Sequence, residues 1–124
     1  MRIGIDICST GKIMQALARS PFLKEEVFSP AEIAYCDAQP KPPQHYGGRW
    51  AAKEACLKAF GLSVLGVELN QIEVVHGDQS RPALRIHDSQ LQERMNAEVG
   101  AFTLQVSITH EDDYSAAVVL VVTQ

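Results

Sequence analysis

Two carboxylates and one lysine occupy positions from which they could bind a metal ion and a phosphate group together. Asp6 belongs to an alternating segment, residues 2–6, and Glu54 and Lys58 lie four residues apart in a segment with helical periodicity. Residues four apart are neighbours on one face of a helix. Magnesium in proteins takes one or two carboxylates and completes its shell with waters and substrate phosphate oxygens. These residue types therefore favour a joint metal and phosphate site.

Further positive charge on the same predicted helix could neutralise a bound phosphate. Arg49 and Lys53 belong to the run RWAAKE, which ends at Glu54, and both cation types bind phosphate oxygens. His110 follows a predicted late strand and is another candidate. No Walker-type glycine loop is present, which excludes a P-loop enzyme.

Each of these residues also has an ordinary structural explanation. Glu54 and Lys58 could form a surface ion pair that contributes a few tenths of a kcal/mol. An aspartate near a strand end often caps a turn, and a histidine in a turn, such as His110, is commonly a plain surface residue. Trp50 and Leu57 flank the Glu54–Lys58 pair, and partly buried charges need a stronger reason than a surface pair supplies.

The sequence pattern predicts the strands and helices that must position these residues. Together they indicate a mixed α+β fold, with a mostly antiparallel sheet packed around one long helix. Apolar alternation indicates strands, and a spacing of three to four residues indicates helices. The predicted strands cover residues 2–6, 71–76, 82–86, 104–109 and 116–122. The predicted helices cover residues 10–19, about 30–38, about 48–60 and 89–99, and three prolines make residues 39–44 a loop. Asp6 would then lie near the end of the first strand, on the face opposite the isoleucines of that strand.

Local signals define one helix start and one helix end. Ser29-Pro30-Ala31-Glu32 has serine at the N-cap, proline at N1 and glutamate at N3, which is a capping box. Gly61 is the predicted C-cap of the long helix. Small residues on one face of that helix permit close approach to a sheet or to another helix: Ala52, Ala55, Cys56 and Ala59.

The composition is that of one ordinary globular domain, residues 1–124. Of the 124 residues, 46% are hydrophobic and 21% are charged, which argues against disorder. No apolar run is long enough for a membrane span, so we expect no membrane partner. The net charge of −4 divides into +2 for residues 1–58 and −6 for residues 59–124, which disfavours a nucleic-acid partner.

The three cysteines match no zinc-binding or redox-motif spacing: they are Cys8, Cys36 and Cys56. Three reduced thiols in a cytoplasmic protein are the simplest interpretation. A nucleophilic cysteine is the alternative, although no activating base stands near any of the three in sequence.

Taken together, these motifs resemble the holo-(acyl carrier protein) synthases, the small stand-alone class of 4′-phosphopantetheinyl transferases. Gly4-Ile5-Asp6-Ile7 is similar to the first motif of that family, and RWAAKEA from Arg49, followed by Lys58, is similar to its signature. Residues 72–74, the Arg81-Pro82 turn and residues 107–110 follow in the family's order and spacing. The resemblance spans nearly the whole chain and implies a 4′-phosphopantetheinyl transferase-like fold.

The resemblance implies a magnesium-dependent transfer of the phosphopantetheine arm of coenzyme A to a serine of an apo acyl carrier protein. The other product would be adenosine 3′,5′-bisphosphate. By the family pattern, Asp6 and Glu54 would hold magnesium against the coenzyme A pyrophosphate, and Glu54 would help to deprotonate the serine. Lys58 would steady the pyrophosphate and the leaving phosphate. The other implied coenzyme A contacts are Arg49, Gly61, Pro82 and His110. The family also implies a homotrimer with the site between subunits.

The chain departs from the family pattern where a carrier would dock. Lys12 keeps the basic residue that is common six positions after Asp6, and the resemblance implies that it contacts the carrier. Glu26 replaces an arginine that is usual before an apolar pair, and the acidic residue often found after Asp6 is absent. Because carrier proteins are acidic, Glu26 and the net negative charge oppose the usual docking mode. The carrier could therefore differ from the usual one of fatty acid biosynthesis.

Two alternatives to the transferase remain open on these residues. Glu26 motivates a coenzyme A-binding domain without transferase activity. A structural oligomer without a ligand is the other alternative, in which Glu54 and Lys58 form an internal ion pair.

Overall fold

The computed structural model describes all 124 residues, which form five strands and five helices. The strands are β1 Arg2–Ser9, β2 Ile72–His76, β3 Pro82–Ile86, β4 Phe102–His110 and β5 Tyr114–Thr123. The helices are α1 Thr10–Arg19, α2 Leu23–Val27, α3 Pro30–Asp37, α4 Pro42–Ala59 and α5 Ser89–Val99. Short 3-10 turns, Leu69–Gln71 and Asp78–Ser80, flank β2. No helix combines the length and the apolar character that a membrane crossing requires.

The strands form two antiparallel sheets, one of three strands in the order β1-β5-β4 and one of two strands, β2-β3. In the larger sheet Asp6 pairs with Ala117 of β5, and in the smaller one His76 pairs with Pro82. The predicted α+β class is confirmed. The prediction had one sheet, whereas the structure has two, since no backbone ladder joins the β2-β3 hairpin to the other three strands.

The long helix α4 lies against the inner face of the three-stranded sheet. Ala51, Ala52 and Ala55 are completely buried there, and the small side chains let the helix approach the strands. The contact is closest at Gly4 of β1, where any Cβ would collide with the backbone carbonyl oxygen of Ala55. The side chain of Asp6, two residues along the same face of β1, therefore points to the last turns of α4.

A buried ion pair connects α4 to α3. The Lys53 ammonium donates to Glu32 Oε1 at 2.6 Å, to the Val27 carbonyl at 2.7 Å and to the Leu69 carbonyl at 3.0 Å. Glu32 also accepts hydrogen bonds from the backbone N–H of Ser29 and of Val74. The pair satisfies backbone groups from four separate segments, and both of its side chains are inaccessible to solvent.

Two predicted boundaries next to the candidate site residues differ from the structure, and one helix was not predicted. The long helix begins at Pro42 and not near residue 48, so the end of the predicted loop at residues 39–44 is its first turn. Prolines at N1 and N2 have no need of the N–H that they lack, so they suit a helix start as well as a loop. The strand β1 continues to Ser9, which places Asp6 inside the strand and not near its end. The short helix α2 was not predicted.

The outer face of the three-stranded sheet is an exposed apolar surface. Ile3, Ile5 and Ile7 are 64–68% exposed, and their β5 neighbours on this face are Leu120, Val118 and Ala116. Soluble monomers seldom expose a contiguous apolar surface of this kind, which commonly marks an interaction site. We call these six residues the outer face below.

Candidate functional site

Asp6 and Lys58 form a close ion pair between β1 and α4. Lys58 Nζ lies 2.7 Å from Asp6 Oδ1 and donates a second hydrogen bond to the Ile5 carbonyl at 3.3 Å. The Asp6 side chain is only 10% exposed, whereas that of Lys58 is 57% exposed. The carboxylate is thus held in place from inside, while the ammonium group is open to an incoming ligand.

Glu54 lies beside Asp6, one turn before Lys58 on α4. Its Oε1 accepts a hydrogen bond from Trp50 Nε1 at 3.2 Å. Burial raises the pKa of Glu54, and the hydrogen-bonding contact with Asp6 and the negative charge of Asp6 raise it further. Trp50 and Lys58 act on this pKa in the opposite direction. The two carboxylates from distant parts of the chain are therefore brought together.

The expected Glu54–Lys58 ion pair does not form. Lys58 is paired with Asp6, and no salt bridge joins Lys58 to Glu54, although a spacing of four residues permits one. The i,i+4 relation places both side chains at one site, but the carboxylate from β1 takes the ammonium group. The internal ion pair that the structural alternative requires is therefore absent.

The carboxylate pair has the chemistry that a hard divalent cation requires. Two like charges lie side by side, and the raised pKa of Glu54 reflects their repulsion and burial. A cation would relieve this repulsion, and magnesium prefers carboxylate oxygens with waters and phosphate oxygens as its remaining ligands. No group of three or more His, Cys, Asp or Glu side chains is placed to enclose a metal. The residues thus fit an open magnesium site better than a closed structural one.

Cys8 borders this site without the properties of a nucleophile. Its Sγ lies 3.8 Å from Asp6 Oδ2. Burial raises the pKa of the thiol to about 12, and the negative charges of Asp6 and Glu54 add to this effect. A reactive cysteine needs the opposite environment, one that favours the thiolate. The structure therefore opposes the nucleophilic-cysteine alternative for Cys8.

Lys53 is not available to a phosphate group, which corrects the sequence-based expectation. Its ammonium is fully buried and bound to Glu32. Desolvation lowers the pKa of Lys53, and the carboxylate of Glu32 opposes this effect. Because its side chain is inaccessible to solvent and its Nζ donates to three groups of the chain, the lysine belongs to the helix packing.

Arg49 is also buried but has no counter-ion. Its side chain packs on the ring of Tyr35, with Cζ 4.3 Å from the ring centroid. The residue is 6% exposed, and its Nε has no hydrogen-bond partner. Of the three cationic side chains of α4 after its start, Arg49, Lys53 and Lys58, Arg49 is thus the one without an ion-pair partner in the chain.

Aromatic and imidazole rings surround Arg49, in the half of α4 that precedes Glu54. The rings of His45 and His110 lie 5.5 Å apart, and Tyr35 lies 5.8 Å from His45 and 4.5 Å from His76. Pro82 faces His76 across the β2-β3 ladder. The predicted coenzyme A contacts Arg49, Pro82 and His110 are therefore brought to one region by α4, β3 and β4.

The other two predicted contact residues lie elsewhere. The C-cap of α4 is Phe60 and not, as predicted, Gly61; Gly61 is the next residue and has a φ of +69°, a conformation that favours glycine after a helix end. Lys12 is exposed in the first turn of α1, on a helix whose N-cap is Ser9. No hydrogen bond or salt bridge joins either residue to Arg49 or to the carboxylate pair, so their assigned roles stay predictions.

Sequence reasoning missed His45 and Tyr35. His45 precedes Arg49 by four residues and lies on the same face of α4, a relation that was missed because the predicted helix began only near residue 48. Tyr35 lies in α3, and no local pattern marks it as the partner of an arginine in another helix.

The chain was compared with known proteins. Residues 2–119 match the model of the 4′-phosphopantetheinyl transferase superfamily. A holo-[acyl-carrier-protein] synthase from Moorella thermoacetica is 36% identical over 121 residues, which cover 98% of this chain and 93% of that protein.

Solved structures support the same assignment. A coenzyme A complex of the enzyme from Chronobacterium ammoniagenes has a TM-score of 0.85 and 30% identity, with coverage of 99% of this chain and 97% of that one. A holo-[acyl-carrier-protein] synthase from Helicobacter pylori in complex with coenzyme A has a TM-score of 0.80 and 27% identity, with coverage of 96% and 98%.

Proposed function

Because the chain belongs to the holo-[acyl-carrier-protein] synthase family of the 4′-phosphopantetheinyl transferase superfamily, we propose a magnesium-dependent transfer reaction for it. The phosphopantetheine arm of coenzyme A passes to a serine of an apo acyl carrier protein, and adenosine 3′,5′-bisphosphate is released. The observation that carries this proposal is the meeting of Asp6, Glu54 and Lys58 between β1 and α4. Phosphoryl transfer asks a protein mainly for such positioning and charge neutralisation.

Asp6 and Glu54 would hold the magnesium ion through their carboxylate oxygens. When bound, the ion supplies Lewis-acid polarisation of the pyrophosphate. Asp6 is fixed in β1 by its ion pair with Lys58 and is nearly buried, so it needs little reorganisation to accept the ion. Glu54 is anchored by Trp50 Nε1 through one oxygen, which leaves the other oxygen to face the ligand.

Glu54 would accept the proton of the carrier serine, directly or through one water. The serine oxygen bonds to the phosphorus next to pantetheine, and the bond from that phosphorus to the bridging oxygen of the leaving nucleotide breaks. A raised pKa brings a carboxylate closer to the working pH of a general base, and burial and Asp6 raise that of Glu54. The exposed ammonium of Lys58 would balance the negative charge that develops on the leaving phosphate.

Mass spectrometry of a carrier panel tests the proposed reaction. The protein is incubated with coenzyme A, magnesium and apo carrier proteins from fatty-acid and polyketide pathways. We expect at least one carrier to gain the mass of one phosphopantetheine arm. No gain on any carrier would contradict the proposed activity.

Glu54→Gln tests the assigned role of the carboxylate. The amide keeps the size of the side chain and can still accept from Trp50, but it loses the negative charge and the basicity. We expect turnover to fall by at least about 100-fold. His87→Gln is a matched control, since His87 pairs with Glu73 outside the site. Near-normal turnover of Glu54→Gln would refute the assigned role.

We also propose that the outer face joins copies of this chain into a homotrimer. Isoleucines of β1 that are about two-thirds exposed, beside apolar β5 residues, support an interface of this kind. Ile5 lies at the centre of the isoleucine row, so Ile5→Asp should yield a monomer in light scattering, with a melting point that no longer depends on concentration. A monomeric native protein would contradict the interface.

The carrier would dock on α1 and the segment after it. Lys12 and Arg19 provide positive charge on α1, and Met14 and Phe22 are exposed apolar residues nearby. Carrier proteins are acidic, so Lys12→Glu should raise the KM for the carrier and leave that for coenzyme A unchanged. An equal rise in both constants would argue against a docking role.

A coenzyme A-binding domain without transferase activity is the second candidate. Glu26 favours it because, with Glu25 and Glu68, it lines a cleft of about 640 Å³ next to Phe22, and this negative charge would repel an acidic carrier. Coenzyme A binding by calorimetry, together with no mass gain on any carrier, would favour this candidate.

The three cysteines are unpaired, and we propose a cytoplasmic location, where thiols stay reduced.

A further inference from the structure

The cleft beside α2 carries negative charge that nothing in the chain balances. It lies between residues 22–27 on one side and residues 67–70 on the other, and we call it the acidic groove. Glu25 and Glu26 line it from α2, and Glu68 lines it from the opposite wall. All three are exposed, and none of them takes part in a salt bridge. Every charged residue that lines the groove is therefore acidic and unpaired.

The one cation of α2 is engaged away from the groove. Lys24 Nζ lies 3.7 Å from Asp37 Oδ1 and 5.2 Å from the centre of the Tyr46 ring. No group of three or more His, Cys, Asp or Glu side chains is placed to hold a metal ion. The carboxylates of the groove thus do not converge on one ion, and they suit a ligand that extends along both walls.

The base of the groove is apolar. Val27 is 4% exposed, Val67 and Leu69 are partly buried, and Phe22 at the rim is 67% exposed. Asn70 also lines the groove, and its Oδ1 is buried without a hydrogen-bond donor. Lysine and arginine have an apolar stem and a cationic donor at its end. These two side chains therefore match both the base of the groove and its acidic rim.

A second cleft extends this surface. Its volume is about 570 Å³, and it shares Glu25 and Asn70 with the acidic groove. Its other carboxylate, Glu73, already accepts from Ser29 Oγ at 2.6 Å and lies 3.0 Å from His87 Nε2. The unpaired negative charge is thus confined to the acidic groove, while the two clefts together are long enough for a polypeptide segment.

We propose that the acidic groove binds a basic segment of the acyl carrier protein, in which a lysine or arginine lies beside an apolar residue, and that Glu26 thereby selects among carriers. The inference rests on the proposed function, which makes the carrier the second substrate. The neighbouring helix α1 has the opposite sign, with Lys12 and Arg19. Opposite charges at the two ends of a docking surface fix the orientation of a partner and reject partners of the wrong pattern.

Charge reversal in the groove tests the inference with a carrier that the native protein modifies. We expect Glu26→Arg to raise the KM for that carrier by about 5- to 50-fold, with kcat and the KM for coenzyme A changed by no more than about twofold. Glu68→Arg, on the opposite wall, should have the same effect. Glu93→Arg is the matched control, because it makes the same change of charge on the exposed face of α5.

Compensation identifies the cation that occupies the groove. Each lysine and arginine of the carrier is replaced in turn by glutamate. One replacement should raise the KM of the native protein, and Glu26→Arg should recover most of that loss. Such compensation is expected only for two charges in contact. A merely structural role of Glu26 would instead lower the melting temperature and change kcat together with both KM values.

The possible results separate this inference from the proposed function. If the native protein modifies no carrier, both are overturned. If it modifies a carrier but Glu26→Arg leaves the KM for that carrier unchanged or lowers it, the groove alone is overturned. The groove is also overturned if Glu93→Arg has the same effect, if Glu68→Arg has none, or if no carrier replacement is compensated.

Discussion

Lys53→Met, compared with Lys58→Met, tests whether Lys53 stabilises the fold while Lys58 acts on the substrate. The ammonium of Lys53 makes three hydrogen bonds of 2.6–3.0 Å, to Glu32 and to two backbone carbonyls. Methionine has a similar length but leaves the buried Glu32 carboxylate without a cation. Breaking a buried pair from one side costs about 3–5 kcal/mol. We expect the melting temperature to fall by about 10–20 °C.

Lys58→Met is the matched control, since it makes the same chemical change five residues further along the same helix. The Lys58 side chain is mostly exposed, but its partner Asp6 is only 10% exposed, so the loss of the ammonium should cost about 1–2 kcal/mol, less than the loss of Lys53. Its loss should, however, reduce turnover by at least about 100-fold, because the charge on the leaving phosphate is no longer balanced. Melting is followed by circular dichroism without ligand, and turnover is measured well below both melting temperatures.

The reverse pattern would refute this reasoning. If Lys53→Met melts within about 3 °C of the native protein and yet loses turnover as Lys58→Met does, Lys53 acts on the substrate. The geometry of the buried pair would then not describe the working state of the enzyme. A folded Lys53→Met with turnover within a few-fold of the native protein supports the structural assignment.

Three further changes have defined outcomes. Gly4→Ala should destabilise the protein by about 3 kcal/mol in urea unfolding, because the new Cβ meets the Ala55 carbonyl; a loss below about 1 kcal/mol would mean that α4 can shift. Burial and Asp6 raise the pKa of Glu54, so protonation of Glu54 stabilises the folded state. This contribution to the free energy of unfolding is fully present below about pH 4.5 and is lost as the pH rises through the raised pKa. Glu54→Gln should thus stabilise the ligand-free protein by about 0.5–2 kcal/mol at pH 7, with a smaller gain at pH 4; a pH-independent difference would contradict the raised pKa. Ser29→Ala, which removes the N-cap of α3, should cost about 1–2 kcal/mol with unchanged turnover per folded molecule, whereas no change in stability would show that the cap is dispensable.

Local signals were sufficient for most of the secondary structure. The predicted bounds of α1, β3 and α5 match the structure, and the capping box at Ser29 forms as predicted. These features depend on residues within one or two turns of each other, and such interactions are visible in sequence. The start of α4 was wrong because prolines occur both in loops and in first helical turns, and only the packing of the preceding segment decides between the two.

The candidate site was predictable to the extent that it depends on one helix and one strand. Glu54 and Lys58 are neighbours through the helical repeat, and Asp6 shares a strand face with Gly4, where β1 meets α4. Partner choice was not predictable, because it depends on contacts between distant segments. Lys58 pairs with Asp6 and not with Glu54, and Lys53 pairs with Glu32 from another helix.

Burial alone does not distinguish a structural cation from a binding one on α4, but the presence of a counter-ion does. Lys53 and Arg49 lie one turn apart, both are buried, and each would carry a large desolvation penalty if left alone. For Lys53 the chain itself supplies Glu32 and two carbonyls, so the charge is satisfied once the protein folds. For Arg49 it supplies only the face of Tyr35, with imidazoles nearby. A charge that the fold leaves uncompensated lowers the stability of the free protein, and a ligand that compensates it gains the same free energy on binding. Anion binding should therefore stabilise the native protein more than an Arg49→Met variant, and thermal shift with adenosine 3′,5′-bisphosphate measures that difference; equal shifts would mean that Arg49 takes no part in binding.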